Sequence, residues 1–362
     1  MGGYINTFTN VMQIKITGTG SAHPSQEQSN EAFLEHNFYD LTGSPIATSN
    51  EEIISKFKAI TGIEKRRYIS SEKSSADIAV EAGQKALEDA QINPESLDYI
   101  IVAHNVGDIA SDSHQVNTLP CVAAKVKAGL EIVNPNCVAY DLIFGCPGWI
   151  EGLIQAQAFL KAGMAKKCLV IGTETLSRVL DPNDRDSMIY ADGAGAAVVE
   201  QSSASGGILG HKTVTYTHQG ESDYIYYGTS NKAGGKTQYI KMFGRKVYEF
   251  ALSHVPDAIA QTLKEASISI ADVKKIFIHQ ANEKMDEAIV KRLYRIFKEK
   301  MPNDVLPMNI ATYGNSSVAT VPTLFDLVRK ENYMGHQVSS GDIVVFASVG
   351  AGMNINAVVY QI

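Results

Sequence analysis

The chain has 362 residues, 44% hydrophobic, 20% charged and 8% aromatic, with a net charge of −7. That is the make-up of a soluble globular protein long enough for two domains or two fused halves. Lys and Arg are scattered and outnumbered by acids, which argues against nucleic acid or an anionic membrane as partner.

No apolar run approaches the length of a membrane span, and the start lacks the charged region and apolar core of a signal peptide. The expected location is the cytoplasm, where Cys121, Cys137, Cys146 and Cys168 stay reduced. No two of them form a C-x-x-C pair, so no metal site is expected.

Residues 1–11 are polar and patternless and read as an extension ahead of the fold. QIKITG at 13–18 opens as a strand. The run Lys65-Arg66-Arg67 is the one short basic cluster. Residues 74–91 carry Ile78, Ala82, Ala86 and Ala90 at four-residue steps, the spacing of a helix. LDYIIVA at 97–103, CLVI at 168–171 and AAVV at 196–199 are apolar throughout. Such strands, alternating with helices, indicate an α/β protein with sheets covered on both faces.

A faint repeat refines this. Residues 86–102 align without a gap on 262–278, each reading helix, loop, buried strand, at an offset of 176. Residues 169–171 align on 344–346 at 175. Two matches at nearly one offset predict similar halves, 12–205 and 206–362, joined near the small-residue stretch 201–207.

Phe144-Gly145-Cys146-Pro147-Gly148-Trp149 precedes an amphipathic stretch that closes at Lys161-Ala162-Gly163. Pro147 suits the first helical position, which puts Cys146 at a helix start. The helix dipole there is expected to lower the thiol pKa. The competing reading is one more small buried residue, which also serves for the other three cysteines. A thiolate needs partners that handle protons. His279 ends the strand KIFI, where open sheets place their sites, and His104 follows a strand in the first repeat copy. Tyr313-Gly314-Asn315-Ser316-Ser317 reads by itself as a loop and helix cap. Ser348-Val349-Gly350-Ala351-Gly352 follows the strand IVVFA. Small residues there let main-chain N–H groups approach a ligand.

Taken together and in order, FGCPGW, YADGAGAAVV at 190–199, YIKMFGRKVY at 239–248, IHQAN at 278–282, YGNSS at 313–317 and the GAG turn at 350–352 resemble β-ketoacyl-ACP synthase III. TGIEKRR at 61–67 matches that family's TGI-x-x-R segment. The resemblance runs from about Met12 to Ile362. It implies a duplicated αβαβα thiolase-like fold with mixed sheets, which agrees with the repeat. It implies an acylated nucleophile at Cys146, and decarboxylation of a malonyl thioester supported by His279 and Asn315. The oxyanion would be held by the N–H groups of Cys146 and Ala351.

Further implications are an acyl pocket touched by Leu119, Phe144 and Trp149, and contacts to CoA or an acyl carrier protein from Lys56, Arg66, Arg67 and Lys284. The substrates would be acyl-CoA or acyl-ACP and malonyl-ACP, the assembly a homodimer, and no cofactor or metal is implied. Two features depart from the family. Phe144, Pro147 and Trp149 replace small residues around the nucleophile, and Lys56 stands where a tryptophan usually meets the CoA adenine. These departures leave open a condensing enzyme that fuses two acyl chains, or acyl transfer to another acceptor. A non-catalytic partner subunit is the third reading, and the retained Cys146 argues against it. A papain-like protease also uses Cys, His and Asn, but the α/β repeat argues against that one.

Overall fold

In a computed structural model that describes residues 13–362, the chain lays down two sheets in succession. The extension expected over residues 1–11 lies outside the described residues. The first half runs β1 (Gln13–Ala22), β2 (Gln26–Ser29), α1 (Asn50–Thr61), β3 (Lys65–Tyr68), α2 (Ser75–Ala90) and β4 (Tyr99–Ala103). It continues through α3 (Val122–Gly129), β5 (Val138–Leu142), α4 (Gly148–Lys161), β6 (Lys167–Thr175) and β7 (Asp192–Ser202). The second half runs β8 (Gly207–Thr215), β9 (Ile225–Thr229), β10 (Gln238–Met242), α5 (Gly244–Glu265), β11 (Val273–Ile278) and α6 (Glu283–Ile296). It ends with α7 (Ile310–Tyr313), α8 (Thr320–Glu331), β12 (Ile343–Gly350) and β13 (Asn354–Gln361).

Local rules account for the boundaries. The Ser74 side chain accepts from the Asp77 N–H and Asp77 reaches back to the Ser74 N–H, a reciprocal cap that starts α2. Ile78, Ala82 and Ala86 then form its buried stripe, and Gln91 stops it at φ 54°.

The two large sheets have matching orders, β1-β7-β6-β4-β5 and β8-β13-β12-β11. β4 pairs parallel with β6 as β11 does with β12, and both sheets then turn antiparallel into β7 and β13. Ile100 and Ile276 thus hold equivalent places, and their partners across the strand pair are Leu169 and Val345, one residue on from the expected match at Val344. Among the described residues the second sheet has no fifth strand. Beside β11 the Ile276 N–H donates instead to the Val305 carbonyl at 2.8 Å.

α4 and α8 form the middle layer. α4 packs on β4, β6 and β7 of one sheet and on β12 and β13 of the other, while α8 packs on β1, β7, β11 and β12. α2 covers the first sheet from outside, α5 covers the second, and α6 lies against α5. A helix between two sheets must be apolar nearly all round. α4 buries Trp149, Ile150, Leu153, Ala156 and Leu160, and its Glu151 carboxylate accepts from Thr213 and Asn356, each at 2.9 Å.

Trp149 does not line the acyl pocket, as its place beside the nucleophile implied. It is 1% exposed, meets Phe346 edge-on at 5.8 Å and donates its indole N–H to the Val170 carbonyl at 3.3 Å. As the second residue of α4 it turns its ring into the core between the sheets. Trp149→Ala should therefore cost about 3–5 kcal/mol of folding stability and leave the preferred acyl length unchanged. Urea unfolding checks the first part; a changed chain-length preference in the folded variant would contradict the second.

Candidate active site

Cys146 sits in the turn between β5 and α4, held by two glycines. Gly145 has φ 68°, and a Cβ there would lie 2.7 Å from the Ala351 carbonyl oxygen. A Cβ on Gly350 would lie 2.5 Å from the Cys146 nitrogen and 2.9 Å from its Sγ. Their absence brings the main-chain N–H groups of Cys146 and Ala351 close to the sulfur, where both favour its thiolate. Pro147 caps α4 instead of forming its first turn, so Cys146 is one residue further out than expected. Burial pushes the thiol up to about 12 and the nearby Glu174 adds to this. The Ser317 hydroxyl and the two N–H groups pull the other way. Desolvation therefore outweighs the dipole, and the expected lowered thiol pKa is overturned.

His279 follows β11, its N–H bonded to the Ala347 carbonyl at 2.9 Å. Nδ1 lies 2.8 Å from the Thr320 hydroxyl, which in turn lies 2.9 Å from the Ser317 carbonyl. Burial lowers the imidazole pKa to about 4, so it is neutral near pH 7. The Thr320 hydroxyl donates its single proton to the Ser317 carbonyl and so accepts from Nδ1–H; when it turns that proton to Nδ1 instead, the ring proton sits on Nε2, the nitrogen left for the cavity. Asn315 accepts the Ser317 N–H on Oδ1 at 2.8 Å, which leaves its amide N–H groups for the same space. Ser317, at φ 52°, holds its hydroxyl 3.2 Å from the Cys146 sulfur.

Cys146, His279 and Asn315 line one cavity of about 360 Å³, with Val106, Phe144, Leu176 and Ile240 as apolar wall. A second cavity of about 440 Å³ shares Met242, Val247, Ala281, Met285 and Asn315 with it. Together they form a channel from the surface to the thiol, fringed by Lys56, Arg185 and Arg245. Among the described residues no His, Cys, Asp and Glu side chains cluster to hold a metal ion, and no helix is long and apolar enough to cross a membrane.

The other expected residues are dispersed. His104 is buried and engaged by Asp141 at 2.8 Å, away from the cavity. Lys56 is exposed at the mouth, paired with Glu52 at 2.6 Å. Lys284 is exposed on the first turn of α6. Arg67 is half-buried and paired with Glu27 at 3.2 Å. Arg66 cannot meet a carrier protein. It is fully buried, donates to the Gln28 carbonyl at 3.0 Å and to Asn30 at 2.6 Å, and lies over the Phe33 ring. In a strand alternate residues face opposite sides, which turns Arg66 inward between Lys65 and Arg67. Leu119 is 85% exposed and lines neither cavity of its own protomer. The sequence reading missed Ser317, Thr320, Arg185, Arg245 and the β9–β10 pair that walls the cavity. Ser317 and Arg245 lay within motifs already singled out, as did most of β10.

The profile described as 3-oxoacyl-[acyl-carrier-protein (ACP)] synthase III matches residues 140–217, and its C-terminal counterpart matches 263–362. The β-ketoacyl-[acyl-carrier-protein] synthase III of Caldanaerobacter subterraneus is 34% identical over 345 residues, covering 93% of this chain and 94% of that protein. The chain belongs to the β-ketoacyl-ACP synthase III family. The synthase III of Microcystis aeruginosa is 31% identical over 358 residues, covering 96% and 97%. The crystal structure of 3-oxoacyl-[acyl-carrier-protein] synthase III from Aquifex aeolicus superposes with a TM-score of 0.80 at 28% identity, covering 97% of this chain and all of that one. The thiolase-like fold and a ketosynthase acyltransferase activity come with membership in the synthase III family.

Proposed function

We propose that this ketosynthase loads an acyl group from a CoA or ACP thioester onto Cys146 and condenses it with malonyl-ACP. In the loading step the Cys146 sulfur attacks the thioester carbonyl. The oxyanion rests on the N–H groups of Cys146 and Ala351, and the carrier leaves as a thiol. In the second step the bond between malonyl and its carboxylate breaks, releasing CO₂. The electron pair becomes an enolate whose oxygen is held by Asn315 Nδ2–H and by His279 in the tautomer that carries its proton on Nε2. The enolate carbon then attacks the acyl carbonyl and the bond to Cys146 breaks. The product is a β-ketoacyl thioester. The observation that carries this reading is the meeting of Cys146, His279 and Asn315 in one cavity at the end of a channel.

The scheme divides the work between the proposed halves, 12–205 supplying the nucleophile and 206–362 the enolate donors. It calls on no cofactor and suits the cytoplasm, where thiols stay reduced. Lys56, Lys284 and Arg67, joined by Arg185 and Arg245, would meet the acidic carrier protein or the CoA phosphates. His279→Ala and Asn315→Ala should each slow malonyl-thioester decarboxylation by on the order of 10²–10³ while leaving loading of Cys146 largely intact. Peptide mass spectrometry reads the adduct and CO₂ release the second step. Loss of loading with decarboxylation kept would reverse the assigned roles.

The acyl donor is proposed to be longer than acetyl. The cavity at Cys146 lies within the volume range that encloses drug-sized ligands, and its wall is largely aliphatic and aromatic. Each buried CH₂ contributes about 0.8 kcal/mol, whereas acetyl offers little. In a competition between acetyl-CoA and medium-chain thioesters on CoA and ACP, a longer donor should load faster. A tenfold advantage for acetyl-CoA over every longer donor would make fatty-acid initiation the better reading.

Phe144 walls this cavity from within the protomer. Leu119 is proposed to reach the corresponding cavity of a second copy, making the enzyme a homodimer. Light scattering at micromolar concentration should give the dimer mass; a monomer would defeat this.

A further inference from the structure

Glu174, at the end of β6, has no part in the steps above. It is fully buried, and one carboxylate oxygen accepts from both the main-chain N–H, at 3.0 Å, and the side-chain amide of Asn105. The other oxygen, Oε2, is buried without a hydrogen-bond partner. The same Asn105 amide donates to the Ser317 hydroxyl at 2.8 Å, and that hydroxyl lies 3.2 Å from the Cys146 sulfur. It also lies near enough to the Glu174 carboxylate to pull its pKa down, with no hydrogen bond between the two at rest. Ser317 keeps this place through a left-handed backbone that a serine rarely adopts.

We propose that Glu174 is the base that receives the Cys146 thiol proton, by way of the Ser317 hydroxyl, during acyl loading. The Ser317 proton, which rests toward sulfur, turns to Glu174, and its oxygen takes the proton of the thiol. The S–H bond breaks and the S–acyl bond forms. The carrier's C–S bond breaks, and the departing thiolate recovers the proton from the Glu174 carboxyl. No electrons are gained or lost. The inference rests on Cys146 being the loaded residue.

Among the described residues no cation pairs with Glu174. The ionisable groups that act on it are Asp192 on β7, Cys146 ahead of α4 and Tyr227 on β9. His104, after β4, is taken up by Asp141, and neutral His279 lies across the cavity. Burial, with Asp192 adding to it, pushes the carboxyl up to about 8 against the pull of Asn105 and Ser317. A base works best with a pKa near the operating pH. His279, held near 4, is the weaker acceptor.

The test is single-turnover loading from a medium-chain acyl-CoA between pH 6 and 10, for wild type, Glu174→Gln, Ser317→Ala and His279→Ala. The folded state raises the carboxyl pKa, so the working carboxylate appears as pH rises. Wild-type loading should climb and level off above about 8. Glu174→Gln and Ser317→Ala should load on the order of 10²-fold more slowly near pH 8. They should keep climbing toward the thiol's own ionisation and decarboxylate malonyl-CoA within twofold of wild type. His279→Ala should keep the wild-type limb. Wild-type loading rates and profile in both variants would overturn the inference, as would loss of the limb in His279→Ala alone. A parallel fall of decarboxylation in both variants would reduce Glu174 to scaffolding and overturn it as well. If Glu174→Gln does not fold, Ser317→Ala, which keeps the carboxylate, decides by the same readouts. An adduct mapping elsewhere than Cys146 in the wild type would sink the proposed function. Failure of the Glu174 assignment alone leaves that adduct in place.

Discussion

The burial of α4 between two sheets is the constraint on which the rest depends. Its apolar residues face both sheets, and its few polar groups find partners, as Glu151 does on β8 and β13. A helix start embedded this deeply fixes the residue ahead of it and leaves Cys146 only partly exposed. Cys146 is therefore well placed and poorly ionised. The dipole of α4 favours a thiolate by roughly 0.3–1 kcal/mol in ordinary settings. Taking a charge out of water costs several kcal/mol per ion even after relaxation. The thiol rests neutral, and the site must supply both a route for its proton and donors for the charge that develops later.

Duplication explains why the remaining parts lie within reach. His104 and His279 stand 175 residues apart at the ends of the paired strands β4 and β11. α4 and α8 are the matching middle helices, so each half aims a strand end at a helix start. The halves then diverged. His104 is occupied by Asp141, and its Nδ1 accepts the Gly107 N–H. The His279 ring meets the Thr320 hydroxyl and the Ser317 main chain, which hold it without charging it. Ser317 and Asn315 arrive on the chain entering α8 and meet the sulfur at the entrance to α4. Neither half contains the constellation by itself.

Much of this was legible in the sequence. α2, β4, β6, β7 and β11 follow from apolar spacing, and the offset of 175–176 foretold the matched sheets. Cys146, His279 and Asn315 stood out because each sat in a distinctive local string. The rest depends on contacts that no local string records. Glu174 reads as an ordinary acid at a strand end until Asn105, 69 residues earlier, turns out to bind it. Arg66 looked solvated within a basic run, and only the pairing of β3 with β2 shows which side of the strand it occupies. Trp149 was misread because adjacency to a nucleophile in sequence is not adjacency to its cavity. Cys146 stands ahead of α4, whereas Trp149 is the second residue of the helix and packs on Phe346 and the Val170 carbonyl in the core.

What remains is the logic of a neutral resting site. The thioester that enters is uncharged, and the thiol, the imidazole and the amide waiting for it are uncharged too. On the oxygens that these donors face, negative charge appears only in passing, first on the tetrahedral oxygen and then on the enolate. Donors that meet no charge in the ground state and two in succession along the reaction favour the transition states over the bound substrate. Their positions are set before substrate arrives, by glycines at 145 and 350 that admit close backbone contact and by the bent backbone at Ser317. Little reorganisation is left for the moment of reaction, which is where donors in water lose most of their effect. A charged histidine or a free thiolate would react faster with whatever came down the channel. The buried neutral pair gives up that indiscriminate reactivity, and in this reading a proton leaves the sulfur only when a thioester occupies the site and displaces water from it.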